Sequence, residues 1–447
     1  MKYDEVFFET RQIDNSWEIP HDCYADLLIG GISTTGNEIY YFISLGNKKI
    51  TRCEIINISY RKSYAKYLEL RMSKDDIPYG INDFDGLMAA FVQPHEGVML
   101  PDGRIAISMH NTDYIRILDI KNEKVSVFPE TDEYQGTVYS ATNSMSENRY
   151  YFAQWSIDDR IIRYKDKEKL IPIHIKSIDK TLNESSIADI VTTRGAEGFH
   201  EVKCSPDESY LILTEFCLQA NDKVPFEKVD NTTWKNFNEW VNYEQRGLQR
   251  PSIQCVDLRT KKIDIATPRG NTPGHVEFCL TDNNRIYLSC HEMSKTSTNI
   301  ILHRQGILEE FEIKNSKLWS SRYFSTPGFL RLTSHKVFYN GDKNLIAITV
   351  FPNYLYIFED GTLELLEKVK LFDAPNISTT HMHICTLDDR TPLWLDTSDN
   401  GQYVILISNA YVYTYHIQKQ ELKSFSSYNW YLDFIGTAHV TNMNDFQ

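Results

Sequence analysis

Short apolar runs of about four to eight residues, bounded by turn-forming pairs such as PD, NG and DN, recur along most of the chain, and this is the signature of β-strands rather than helices. Stretches of helical period are few. One cycle reads clearly from Gln93 to Glu130: a strand QPHEGVML, a turn PDG, a strand RIAISMH, and then YIRILDI and KVSVFPE. A four-stranded meander of this kind is the unit of a propeller blade.

Further cycles follow at TVYSAT / RYYFAQW / RIIRYK / KLIPIHI, at HEVKCSPDESYLILTEF with SIQCVDL and KKIDIAT, and at HVEFCLTDNNRIYLSCH / NIILHR / ILEEFEI. Two more run from Gly328 to Val369 and from His381 to Phe425. The first, Ala25 to Ile56, supplies three clear strands, and the chain ends on an orphan strand, GTAHVTNM. That strand completes the first cycle and closes a ring. The expectation is an all-β, seven-bladed β-propeller formed by residues 1–447 as a single domain, with six or eight blades also compatible with the poorly marked stretch from Phe324 to Arg390.

Two insertions, at about 59–91 and 217–250, interrupt the repeat. In the second, Trp234, Phe237, Trp240 and Val241 follow a cap at Asn231 or Thr232 with the spacing of an amphipathic helix, which fits a lid over a channel mouth or a helix on the blade edge. The first is unassigned.

Composition narrows the partners. Forty-seven basic against sixty-one acidic residues give a formal charge of -14, which opposes binding to nucleic acid or an anionic membrane surface. No basic leader or membrane-length apolar segment is seen, so a cytoplasmic protein is expected, with a monomer one option for its oligomeric state. The eight cysteines include no C-x-x-C pair and read as reduced, mostly buried thiols.

Aligning the first strand of each cycle brings out a repeated histidine: His95-x-x-x-Met99, His200-x-x-x-Cys204, His275-x-x-x-Cys279, His381-x-x-x-Cys385 and His439-x-x-x-Met443. Each stands where the chain enters an innermost strand, and in a propeller those entries converge on one mouth of the channel. The antiparallel second strand returns to the same mouth, so residues fifteen or sixteen positions later are expected alongside, giving His95 with His110, His200 with Glu215 and His275 with His291. Converging imidazoles and carboxylates suit a divalent transition metal such as Fe, Mn or Zn. The sulfur residues four positions on lie about 13 Å away at ~3.3 Å per residue and cannot share that ion. His381 and His383 fall on one side of a strand and can chelate.

Around this cluster, Glu201, Glu215, Glu277 and Tyr139 are candidates for acid, base or orienting roles, and Arg194, Arg250, Arg331 and Trp155 for substrate contacts. Glu96 adjoins His95 in the same way that Glu201 adjoins His200. A structural role for the histidines, each bonded within its own blade as in WD40 repeats, is the competing explanation, although the Trp-Asp ends of those repeats are absent.

On these residues the chain resembles two groups of propeller enzymes. Oligogalacturonate lyases hold a divalent metal with histidines that include a His-x-His pair, which His381 and His383 match; the glutamine those enzymes place nearby is replaced by Ser378, Thr379 and Thr380. Carotenoid oxygenases hold iron on the propeller axis with four histidines, one per blade, which is similar to His95, His200 and His275 with His381 or His439, although their flanking motifs are missing. The resemblance implies an axial metal.

No G-x-S-x-G, P-loop, H-E-x-x-H or dinucleotide-binding glycine motif occurs. The expected function is a metal-dependent enzyme of lyase or isomerase type acting on a small or oligosaccharide substrate at the channel mouth. The alternatives are a metal-free His/Glu acid-base catalyst of a cyclisation or elimination, and a non-catalytic protein-interaction propeller.

Overall fold

The computed structural model describes residues 5–13, 18–33, 37–56, 66, 94–100, 102–109, 112–130, 134–140, 143–146, 148–159, 162, 169–179, 181–192, 198–216, 252–270, 272–295, 301–326, 331–374, 390–408, 411–426 and 434–442. Within them the strands form seven separate antiparallel sheets. Blade 2 shows the pattern, with Pro94–Met99 innermost, followed outward by Ile105–Met109, Ile115–Asp119 and Lys124–Phe128. The innermost strands of blades 4 to 7 are Gly198–Cys204, Thr272–Phe278, Arg331–Tyr339 and Pro392–Thr397. Blade 3 begins instead with two short pieces, Thr137–Tyr139 and Ser144–Met145, both paired to Arg149–Ser156.

The ring closes as the repeat requires. Phe434–Asn442 pairs with Asp26–Ser33 as the innermost strand of blade 1, so the last described strand joins the first blade. An unforeseen fifth strand, Glu5–Gln12, pairs with Lys49–Ile56 on the outside of that blade.

Three sequence-derived strand assignments change. In blade 3 the third strand is Pro172–Asp179 and the fourth is Glu184–Val191, so KLIPIHI leads into the third strand and is not the fourth. In blade 5 the described part of NIILHR, from Ile301, and the run ILEEFEI belong to one strand, Ile301–Lys314, and Lys317–Ser325 is the outermost. In blade 7 the innermost strand starts at Pro392, beyond His381. The insertions at 59–91, Lys66 apart, and at 217–250 lie outside the described residues.

Burial explains which strands read as continuous apolar runs. Ile105–Met109 and Tyr403–Ser408 are buried at every position, because each second strand is covered on both faces by neighbouring blades. Outermost strands keep one wet face and alternate, as Leu365–Lys370 does. The core therefore lies between blades, in apolar clusters such as the one joining Leu27 and Ile29 of blade 1 to Ile405 and Ile407 of blade 7.

Many of the tyrosines serve the same seams. Arg116 of blade 2 and Glu38 of blade 1 form a buried two-pronged ion pair, at 2.8 Å from Nε to Oε2 and 2.6 Å from Nη2 to Oε1, and the hydroxyls of Tyr40 and Tyr114 donate to the same carboxylate. Tyr287 of blade 5 donates to Asp360 of blade 6, Tyr415 of blade 7 to Glu367 of blade 6, and Tyr403 to Asp22 ahead of blade 1. A phenol spans a seam with apolar ring surface and still satisfies its hydroxyl.

Strand direction distinguishes the two faces of the ring. First and third strands start, and second and fourth strands end, on one face. The three longest connections between strands, 57–93, 217–252 and 371–391, all join strand ends on that face. The opposite face carries short turns such as Leu100–Arg104, Ser205–Tyr210 and Ser398–Tyr403.

Candidate metal centre

The innermost strands carry a device absent from the sequence pattern. In blades 2, 4, 5, 6 and 7 the ladder to the second strand slips near the start of the innermost strand: between Pro94 and Gly97, Phe199 and Glu201, Pro273 and Val276, Leu332 and His335, and Pro392 and Trp394. These are β-bulges, which break the strict alternation of a strand and re-aim a side chain. His95, His200 and His275 all lie within them.

The bulges are clamped from the second strand. Ser108 Oγ accepts from the Glu96 amide and donates to its carbonyl, both at 3.1 Å. Ser289 Oγ does the same for His275, at 3.1 and 3.3 Å. A Cβ on Gly274 would stand 2.9 Å from the Ser289 carbonyl oxygen, so the residue before His275 must be glycine for the strands to approach.

Four aromatic rings meet on the axis. His95 and His200 are 5.2 Å apart between centroids, His200 and His275 5.1 Å, His275 and Trp394 5.2 Å, and Trp394 and His95 5.9 Å. All four contacts are edge to face. Blade 3, whose innermost strand is broken, supplies no ring to this group among the described residues, and His95 of blade 2 contacts His200 of blade 4 directly.

Within this group the donor atoms of His200, Glu201 and His275 all lie within 4.8 Å of one another. Glu201 Oε2 is 3.6 Å from His275 Nδ1 and accepts the Val276 amide at 2.7 Å, which holds the carboxylate of blade 4 against blade 5. In a regular strand His200 and Glu201 would face opposite sides; the bulge brings both to one point. His200 Nδ1 is buried and has no hydrogen-bond partner among the described residues. Burial, reinforced by the neighbouring His275, pushes the His200 pKa down to about 3, so the imidazole is neutral and keeps a lone pair.

A charged belt from the same strands accompanies the rings: Glu96, Glu201, Lys203, Glu277, Lys336 and Asp396. Lys203 Nζ is 2.9 Å from Glu277 Oε1, and Lys336 Nζ is 3.7 Å from Asp396 Oδ1. Burial and the surrounding carboxylates outweigh the lysines at Glu96 and Glu201 and push both pKa values up to about 8. Burial opposes ionisation of Glu277 as well, but Lys203 and Lys336 prevail and hold it below the usual range. Glu96 Oε2 is buried with no hydrogen-bond partner among the described residues. His335 of blade 6 is buried, its pKa lowered by desolvation to about 4, and its Nε2 lies 3.3 Å from the Tyr287 carbonyl oxygen.

Other sequence candidates go elsewhere. Glu215 stands opposite Phe199, and its oxygens accept from the Ser252 amide at 2.6 Å and Gln254 Nε2 at 3.1 Å, so it fixes the third strand of its own blade. His291 stands opposite Thr272, three residues ahead of His275. The bulge shifts Glu215 from His200 to Phe199, whereas His291 misses His275 for a second reason: a regular ladder from the Val276–Leu288 pair would already set it opposite Pro273, and the bulge adds one more place. Tyr139 and Trp155 are buried in blade 3, Trp155 within the interblade core. Burial raises the Tyr139 phenol well above its ordinary range, which makes it a poor proton donor at neutral pH. His439 stands opposite Gly30 in blade 1, and Arg331 opposite Phe351 in blade 6; their side chains, and that of His291, lie outside the described set. His110, Arg194, Arg250, His381 and His383 lie outside the described residues altogether. Trp394, Lys203, Lys336 and His335 are site neighbours that the histidine alignment did not select. The six described cysteines are all buried, with no disulfide among them.

Among the described residues no helix is long and apolar enough to cross a membrane. No protein-family model matches the chain, and no curated protein matches it. Among solved structures, a mutant of the Synechocystis apocarotenoid oxygenase superposes with a TM-score of 0.52 at 9% identity, covering 98% of this chain and 95% of that one. The dihydro-heme d1 dehydrogenase NirN gives a TM-score of 0.49 at 10% identity over 98% and 80% of the two chains. Saccharomyces cerevisiae Sqt1 gives 0.46 at 7% identity over 75% of each. At such identities the oxygenase likeness supports the propeller fold and says nothing of chemistry.

Proposed function

We propose that this propeller is a divalent-metal-dependent enzyme whose centre is built by His200, Glu201 and His275 and whose substrate is a small or carbohydrate-like molecule entering from the face that bears the long connections. The observation that carries the reading is the meeting of donor atoms from His200, Glu201 and His275 within 4.8 Å of one another, with His200 Nδ1 buried and without a hydrogen-bond partner among the described residues. An orphaned buried acceptor is costly unless something outside the protein satisfies it.

The donor set fits a metal in kind and in charge. Neutral imidazole and carboxylate suit Zn, Fe, Mn or Co. Glu96 and Glu201 hold their protons up to about pH 8, and a divalent ion would take the place of those two protons in a belt of four carboxyls and two ammoniums. Bonds of about 2.1 Å require donors roughly 3 to 3.5 Å apart, so the 3.6 Å between His275 and Glu201 would need little movement.

A bound ion would polarise a carbonyl or carboxylate of the substrate for proton removal, the step that lyases and isomerases share. The Val276 amide would hold Glu201 in place, the Ser289 clamp would orient His275, and Glu96 is positioned to receive or return a proton. The rings of His95 and Trp394 would exclude water from one side.

A metal-free His/Glu acid-base reading draws on one specific observation, the buried carboxyls of Glu96 and Glu201. The two are separated by screening uronates, aldonates and sugars for turnover before and after chelation. Activity abolished by a chelator and restored by a divalent ion supports the metal reading. Activity that survives chelation but is lost in His95→Ala or Glu96→Gln contradicts it.

A further inference from the structure

The donors of the candidate centre are distributed on one side only. His200 and Glu201 belong to blade 4 and His275 to the adjacent blade 5, whereas blades 2 and 7 present the rings of His95 and Trp394 across the axis. Three protein donors from neighbouring blades would hold an ion from one side. A six-coordinate ion such as Fe(II), Mn(II) or Co(II) would then have positions left for other ligands, as in two-histidine, one-carboxylate sites. Trp394 stands on the side away from His200, 5.2 Å from His275 and 5.9 Å from His95 between centroids.

From this geometry we infer that the substrate binds as a chelate through two adjacent oxygens, which defines its class as an α-hydroxy acid, an α-oxo acid or an enediol. The inference rests on the metal reading above. Two oxygens on neighbouring atoms span two adjacent open positions, and a flat chelate presents an apolar face to the indole of Trp394. The second oxygen binds intramolecularly, so a two-oxygen ligand gains about 100-fold or more over a one-oxygen ligand of like charge.

The test uses the full chain loaded with Co(II), freed of excess by gel filtration, and titrated with glycolate and with acetate, two monoanions, while the visible spectrum of the cobalt is followed. The expected result is one glycolate per cobalt, bound about 100-fold more tightly than acetate, with the cobalt retained after a second gel filtration. His95→Ala is expected to keep both the cobalt and the glycolate preference. Equal affinities for the two anions, or glycolate that strips the cobalt, overturns the inference. So does loss of cobalt from a folded His95→Ala, because His95 would then fill one of the open positions. Failure of the folded wild-type chain to take up cobalt appears before any glycolate is added and overturns the metal reading itself.

Discussion

Glu201 reaches from blade 4 to blade 5, where one carboxylate oxygen accepts the Val276 amide at 2.7 Å and stands 3.6 Å from the Nδ1 of His275. A residue that faces the neighbouring blade couples the seam to the site, and it does so because the bulge at His200 turns two consecutive side chains inward. Glu201→Gln keeps the volume and a hydrogen-bond acceptor but removes the anionic donor. It is expected to leave the melting temperature nearly unchanged and to weaken metal binding by more than the roughly 10- to 100-fold that loss of an outer supporting partner costs. Metal competition titration reads the difference; undiminished affinity would remove Glu201 from the donor set.

The Glu38–Arg116 pair should matter to stability out of proportion to its size. Both side chains are buried and share a network with Tyr40 and Tyr114 across the seam between blades 1 and 2. Removing one partner strands the other charge. Glu38→Ala is therefore expected to cost about 3–5 kcal/mol in urea unfolding. A cost below about 1 kcal/mol would show that the seam does not depend on this pair.

Tyr287 offers a smaller test of the same idea. Its hydroxyl donates to Asp360 and accepts the Gly361 amide at 2.8 Å, joining blade 5 to blade 6. Tyr287→Phe leaves the ring packing intact and removes both bonds, at an expected cost of about 1–3 kcal/mol. Equilibrium unfolding compared with the wild type measures it.

A pH-dependent contribution is expected from Asp179, whose carboxylate accepts from the Thr181 hydroxyl at 2.6 Å and from the amides of Thr181 and Asn183 at 2.8 and 3.0 Å. These bonds, the Thr181 hydroxyl first, lower its pKa from 3.8 to about 2. A carboxylate whose pKa is lower in the folded state stabilises the fold fully above its unfolded value, and the contribution fades as pH falls through the folded value. The difference in melting temperature between wild type and Asp179→Ala should thus be constant above about pH 4 and shrink between about pH 4 and 2. A constant difference through that interval would rule the linkage out.

How much of this was legible in the sequence follows from what bulges and channels do. The blade repeat could be read because second strands, buried on both faces, give unbroken apolar runs such as RIAISM, and the orphan GTAHVTNM correctly signalled the closed ring. Three of the aligned histidines, His95, His200 and His275, lie in the bulges at the start of their innermost strands. The cross-strand partners could not be read: the slip moves Glu215 from His200 to Phe199, and His291 falls two places from His275 even on a regular ladder before the slip adds a third. Lys203 and Lys336 were not singled out, because a strand facing a polar channel has the same pattern as one facing bulk water. Trp394 was hidden by chemistry: blade 7 puts an indole where the repeat led one to look for an imidazole, and its innermost strand begins at Pro392.

The central claim is tested most directly by the metal content of the untagged chain after loading with Fe(II), Mn(II) or Zn(II) and removal of excess, compared with a folded His200→Ala/His275→Ala variant. The account predicts about one tightly held divalent ion per wild-type chain and none in the variant. Equal content in the two proteins, or none in either, would contradict it.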